Sequence, residues 1–351
     1  MGLKVAVLAN LKKNAPAAPG VGVDDWAELD SETTTDAIVA ALEAAGHRAT
    51  FLEGNVSVVG ELSALGPDIC FNICEGHWGD SRESHVPAIL EMLRIPYTGS
   101  GVLALALTLD KPMTKRVLAS HHLPTPAFQV FERADQPLDP SLEFPLFVKP
   151  SREGSSMGIG ADSIVPDEAG LRERLAHQLA RYRQPILVEQ FIHGREVTVG
   201  IVGNVSPDIA RRRRRAAHSL PPGLRLLPAL EVDFSGYPAS EGGVYTHRIK
   251  TEPWDHYHFF CPAPLEPAPL ARLQWLAASA FRATGCLDVA RVDFRLDAAG
   301  ADEPYILEVN ALPGLAPGYS DLALAAAAGG MTYDALIQGI LDAALARHGL
   351  R

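Results

Sequence analysis

Apolar positions recur along the chain with two periods, and their alternation organises the first third. Lys4-Val-Ala-Val-Leu8 is a short β-type apolar run followed by a polar, Gly- and Pro-rich loop from Asn10 to Asp30, and it reads as a first parallel strand. From Ser31 to Gly46 the apolar side chains fall at helical spacing behind a capping residue and ahead of a terminal glycine, which predicts a crossover helix. Ala49 to Leu52 and Ile69 to Ile73 supply further strands, and Ser84 to Leu93 a helix. Residues 1–109 therefore alternate β and α as an open, doubly wound parallel sheet does.

From Asp110 the texture changes. Lys111 to His121 is helical, and Phe144-Pro-Leu-Phe-Val-Lys-Pro150 is a strand running into a polar, Gly-rich loop. With Ile186 to Ile192 and Glu196 to Val202 it suggests antiparallel pairing, hence an α+β region. The last third holds a helix from Leu270 to Thr284, strands Val289 to Leu296 and Tyr305 to Val309, a loop from Asn310 to Asp321, and a closing helical region to Arg347. The expected division is 1–109, 110–190 and 191–351, without an internal repeat.

Composition narrows the function classes. The 351 residues, 47% hydrophobic and 21% charged, suit a globular chain of two to three domains. Lys and Arg number 31 against 42 Asp and Glu, a net charge of -11, so a nucleic acid has no general electrostatic reason to bind. The apolar runs Gly101 to Leu109 and Leu322 to Ala328 fall short of the ~18 to 20 residues of a membrane span. No signal-peptide pattern precedes Lys12 and Lys13, so a cytoplasmic, membrane-free protein is expected. Cys70, Cys74, Cys261 and Cys286 lack disulfide or zinc spacing and are expected as thiols. Arg211 to Arg215 is expected as a solvated loop in a hairpin insertion, and His247, His256 and His258 show no metal-ligand period.

Neither the dinucleotide-binding glycine fingerprint nor the P-loop is present, so a phosphate must be held another way. Lys149-Pro-Ser-Arg-Glu-Gly-Ser-Ser-Met-Gly-Ile-Gly160 leaves a strand with a lysine and offers glycines, hydroxyls and free backbone amides, the parts of an anion cradle, or else of a plain flexible hairpin. Alternation puts Arg291 and Asp293 on one face of their strand and Glu308 and Asn310 on one face of theirs, and pairing the strands unites all four. Their oxygens suit Mg²⁺ bridging to substrate phosphates, with Arg291 stabilising developing negative charge. A surface ion-pair ladder is the alternative, opposed by the apolar context Ile306-Leu-Glu-Val-Asn310.

Taken together, the Lys149 to Gly158 loop, Tyr97-Thr-Gly-Ser-Gly101 with Asp110-Lys111, Val188-Glu-Gln-Phe-Ile192 with Glu196, Cys261-Pro-Ala263, Arg291-Val-Asp293 and Glu308-Val-Asn310-Ala-Leu-Pro-Gly314 resemble the ATP-grasp superfamily, in its D-alanine-D-alanine ligase branch. The resemblance implies an N-terminal parallel sheet followed by antiparallel sheets that sandwich ATP. Lys111 and Lys149 correspond to the lysines on the ATP phosphates, and Ser155 and Ser156 to the covering loop. Glu189, Gln190, Phe191 and Ile192 correspond to the hinge that reads adenine, and Glu196 to the acid on the ribose. Asp293, Glu308 and Asn310 correspond to the ligands of two Mg²⁺ (or Mn²⁺). Arg291, Ser155, the Gly314 amide and Lys250, on a closing loop, carry the catalytic roles. The implied reaction joins two amino acids through an acylphosphate, releasing ADP and phosphate, as in peptidoglycan precursor synthesis, and the implied assembly is a homodimer.

The substrate side departs from that pattern. No Gly-Gly follows the first strand, and Glu28 or Glu32 stands in for the glutamate that binds the first amino group. Lys250 is followed by Thr251 where the family has tyrosine, with Tyr245 five residues earlier. His77 lies in an acidic segment whose Glu75, Arg82 and Glu83 are candidates for substrate recognition, and Ser320 is placed to reach the second carboxylate. A ligase for a different amino acid or peptide pair is therefore the alternative. A catalytically idle ATP-binding regulatory or interaction module is the second.

Overall fold

The computed structural model of the chain describes residues 2–16, 26–206, 220–238, 242–251 and 259–350. Arg211 to Arg215, His256, His258 and the side chain of His247 lie outside the described residues. Strand β1 (Lys4–Ala9) is the centre of a three-stranded parallel sheet, between β2 (Arg48–Glu53) and β3 (Ile69–Asn72). Helix α1 (Glu32–Ala44) makes the crossover; its N-cap Ser31 accepts a hydrogen bond from the Thr34 amide. Helices α2 (Val58–Leu65), α3 (His85–Leu93), α4 (Val102–Leu109) and α5 (Lys111–Ser120) follow, the last capped by Asp110 with Pro112 in its first turn. The alternating first third is thus a parallel sheet, as its pattern predicts.

Two antiparallel sheets make up the rest. The first contains β4 (Phe128–Phe131), β5 (Leu146–Pro150), β6 (Ile164–Val165) and β7 (Ile186–Gln190) in the order β4-β7-β5-β6, backed by α6 (Glu168–Tyr182). The second centres on β8 (Gly194–Gly203) and β12 (Val289–Asp297), flanked by β10 (Leu230–Val232), β11 (Phe259–Phe260) and β13 (Glu303–Asn310), with β9 (Leu224–Leu226) beside β8. The segments 186–192 and 196–202 therefore belong to different sheets: three residues after β7, the chain enters β8 and pairs with β12 instead. Helix α7 (His247–Thr251) lies between β10 and β11, and α8 (Pro267–Ala283) packs its Leu273, Leu276 and Phe281 against the larger sheet.

The closing helical region is two helices, α9 (Asp321–Ala328) and α10 (Tyr333–His348), separated at Gly329-Gly330. Helix α10 returns to the first sheet, where Ile337, Ile340 and Leu341 join Ile38 and Leu42 of α1 in one core with Val5 and Val7. Burying each such side chain contributes about 1.5–3 kcal/mol, which fixes the end of the chain against its beginning. The four cysteines are free thiols, and three of them are buried. Among the described residues no helix is long and apolar enough to cross a membrane.

Candidate active site

The antiparallel register of β12 and β13 sets Arg291 opposite Asn310 and Asp293 opposite Glu308, uniting the two pairs that alternation had placed on their separate strands. Arg291 grips Asp293 with two donors, Nε to Oδ1 and Nη2 to Oδ2, each at 2.8 Å. Asn310 Nδ2 donates to Asp293 Oδ2 at 2.9 Å, and Thr198 on β8 donates to Oδ1 at 2.5 Å. Burial works against the Arg291 charge, but Asp293, then Asp321 and Glu308, outweigh it and keep the guanidinium ionised. Burial likewise would raise the Glu308 carboxyl. Lys111, Lys149, Arg291 and Lys250 overcome that and hold it well below the usual carboxylate range. The motif is the wall of a cavity and not a surface ladder.

Two adjoining cavities share that wall. The first, about 800 Å³, lies between the antiparallel sheets and is lined by Lys149, Ser156, Glu189, Gln190, Phe191, Ile192, Glu196, Lys250, Arg291, Asp293 and Glu308. The second, about 970 Å³, opens toward the parallel sheet and is lined by Glu28, Glu75, Glu83, Ser155, Asn310, Gly314, Tyr319, Ser320 and Asp321. Tyr245, Lys250, Arg291, Glu308 and Asp321 border both. Glu196 faces Arg295 at 3.6 Å; burial raises its carboxyl, and Arg295 opposes the shift.

Three segments converge over these cavities. Ser155 and Ser156 take φ of 45° and 56°, left-handed geometry that turns the loop after β5 inward. The Ser156 hydroxyl donates to the Tyr245 carbonyl at 2.7 Å, the Lys250 ammonium sits 4.4 Å from the Tyr245 ring centre, and the Tyr319 hydroxyl donates to the Lys250 carbonyl. Tyr245 thus reaches the site although it stands five residues before Lys250. Ser320 Oγ accepts from the Ala316 amide at 2.9 Å and shapes the end loop.

Lys111 does not line either cavity: it stands behind Glu308, 3.4 Å from Oε2, and donates to the Glu153 carbonyl at 2.5 Å. His77 is turned away from the site. Gly76, at φ 74°, reverses the chain before it, and the imidazole packs edge-on against Trp26 at 5.5 Å in a different hollow, which Trp78 and Met157 also line. Glu28 accepts from Arg82 at 2.7 Å and from the Gly154 amide, so its carboxylate is already engaged.

Sequence reasoning missed Lys115, Asp321, Tyr319 and Arg295. Lys115 is buried 2.7 Å from Glu189, which also holds Lys149 at 2.6 Å. Its spacing of four from Lys111 puts both on one face of α5, a signal that was available in the sequence. Asp321 lies 3.7 Å from Arg291, and nothing local distinguishes it from an ordinary first-turn acid of α9.

The donor set fits Mg²⁺. Among the described residues no group of three His, Cys, Asp or Glu side chains forms a complete cage. Two carboxylates and a carboxamide suit a hard cation that keeps waters and completes its shell with phosphate oxygens.

A family model described as "D-ala D-ala ligase C-terminus" matches residues 117–220 and 225–342. The chain is 34% identical to an uncharacterized protein, y4sG, of Sinorhizobium fredii, over 89% of this chain and 88% of that one. It is 36% identical to the D-alanine--D-alanine ligase of Syntrophotalea carbinolica, over 90% and 91% of the two chains. In fold it is similar to the Bacillus anthracis D-alanine--D-alanine ligase complexed with ATP, with a TM-score of 0.71 at 20% identity over 99% of both chains. With its paired carboxylate strands and with relatives matched over nearly its whole length, the chain belongs to the D-alanine–D-alanine ligase family of ATP-grasp enzymes.

Proposed function

We propose that this protein is an ATP- and Mg²⁺-dependent ligase that joins the carboxylate of one amino acid to the amine of another, releasing ADP and phosphate. Its three regions, 1–109, 110–190 and 191–351, act as three domains around the cleft. The observation that carries this reading is the facing of Arg291, Asp293 and Glu308, across one cavity, by Lys149, Ser156 and Lys250, with Asn310 paired to Arg291 on the neighbouring strand. Phosphoryl transfer needs positioning and charge neutralisation more than covalent help, and those side chains supply both. Lys149 and Lys250 would meet the triphosphate, and Asp293, Glu308 and Asn310 would hold Mg²⁺, which neutralises charge on the phosphates. Arg291, which borders both cavities, and the Gly314 amide, which lines the second, would bind the oxyanion formed as the amine attacks. The converging segments 155–156, 242–251 and 314–320 would exclude the water that would hydrolyse an acylphosphate.

D-alanine with D-alanine, for peptidoglycan precursors, is the pair that the relatives' names support. A different pair is favoured by the acidic second cavity, where Glu75, Glu83 and Asp321 add charge that a small neutral side chain does not require. Phosphate release from ATP and Mg²⁺, assayed across D- and L-amino acids singly and in pairs, tests the reading. Release with D-alanine alone supports the first pair, release with only another pair supports the second, and no release with any carboxylate ends the ligase reading.

A further inference from the structure

The second cavity holds more negative charge than its own cations neutralise. Glu28 is paired with Arg82 and the Gly154 amide, while Arg82 also reaches the Arg152 carbonyl at 2.9 Å and Glu153 at 3.4 Å. Arg291 is held by Asp293, with Asp321 at 3.7 Å. Glu75 and Glu83 remain. Both line the cavity, and neither makes a hydrogen bond or ion pair with any described residue.

They come from the two arms of one closed loop. At Gly76, φ 74°, a Cβ would lie 2.4 Å from the Arg82 carbonyl oxygen and 2.9 Å from the Arg82 Cβ, so the residues adjoining Glu75 and Glu83 are in contact. Only glycine permits that approach. Two enclosed carboxylates held side by side repel each other unless a proton or a cation lies with them. Burial, and then Glu83 and Glu28, push the Glu75 carboxyl well above its usual range against the pull of Arg82, and the repulsion from those two carboxylates is the part that a cation would relieve. Asp321, 3.7 Å from Arg291, adds a further carboxylate to the lining of the same cavity. An alanine brings one ammonium group to this wall, and the wall presents two unpaired carboxylates.

We infer that the preferred substrate is an amino acid carrying a second ammonium group, so that its two cations meet the carboxylates of Glu75 and Glu83; this rests on the ligase reading above. The cavity opens to solvent, which leaves room for the longer side chain. Its carboxylate is drawn to Arg291, Lys250 and the Gly314 amide, which line the same cavity.

The test is ATP-dependent phosphate release by the full chain with diamino acids and their apolar isosteres, in both chiralities: 2,3-diaminopropionate against 2-aminobutyrate, and ornithine against norleucine, with alanine alongside. The expected result is a kcat/KM at least tenfold higher for one diamino acid than for its isostere. That ratio should collapse toward one in Glu75→Gln/Glu83→Gln. If the double variant does not fold, the ratio in the parent protein decides alone. Equal or better use of the isosteres, release with alanine only, or a ratio that survives in a folded double variant overturns the inference and leaves the ligase reading intact. Failure to release phosphate with any amino acid overturns both.

Discussion

Glu189 separates two buried ammonium groups, with Oε2 2.7 Å from Lys115 Nζ and Oε1 2.6 Å from Lys149 Nζ. Glu189→Gln keeps the size and removes the charge, leaving two cations within reach of one neutral amide. Lys149 borders the first cavity and can recruit water there, whereas Lys115 is fully buried and cannot. Breaking a buried pair by removing one partner costs about 3–5 kcal/mol. At roughly 2–4 °C per kcal/mol for a chain of 150–250 residues, and less for a longer one, Tm should fall by about 6–10 °C at pH 7.

The deficit should also shrink as pH rises. Burial already pulls Lys115 down to about 8 despite Glu189, and losing that carboxylate lowers it further. The unfolded chain, with lysine near 10.4, then binds more protons than the folded one, so stability rises with pH between the folded value and ~10.4. Thermal melts of parent and variant at pH 7 and pH 9.5 should therefore converge at the higher pH. Glu189→Gln/Lys115→Met, which removes one stranded charge, should recover much of the loss. A Tm within about 2 °C of the parent at pH 7, or a double variant no better than the single, refutes the argument.

Glu308→Gln should reduce phosphate release to background while circular dichroism and Tm hold, because Glu308 is a cavity-facing carboxylate kept ionised by Lys111, Lys149, Arg291 and Lys250; retained turnover would remove it from the metal set. Arg291→Lys should lower kcat by about 10² to 10³, the cost of losing an oxyanion donor, since lysine cannot reproduce the two-donor grip on Asp293. Asp288→Asn should cost about 1.5–3 kcal/mol in denaturant melts with turnover per folded enzyme unchanged, because Asp288, fully buried at φ 63°, anchors Arg347 of α10 at 2.7 Å and the Gly99 amide at 2.9 Å. Asparagine tolerates that φ, so the loss reads the charge and the acceptor that the new amide NH2 replaces, not backbone strain.

Local periodicity determined much of this protein. Alternation placed Arg291 with Asp293 and Glu308 with Asn310, and the short connection between β12 and β13 made their pairing a neighbouring event. The β/α rhythm of the first third and the Gly-Ser loop after β5 were legible for the same reason: period, caps and turn residues act within a few positions. Helix α4 was obscured because its run, Val-Leu-Ala-Leu-Ala-Leu-Thr-Leu, is apolar on all sides and shows no amphipathic face. Tertiary structure decided what lies far apart in sequence. Lys115 and Lys149 meet on Glu189, α10 returns to α1, His77 turns to Trp26, and Asp321 faces Arg291. It also brought Glu75 and Glu83 into the cavity that Gly314 lines. A residue's own sequence neighbourhood sets its secondary structure and its face; the electrostatic partner that gives a buried charge its role arrives by packing, from chain the local pattern does not contain.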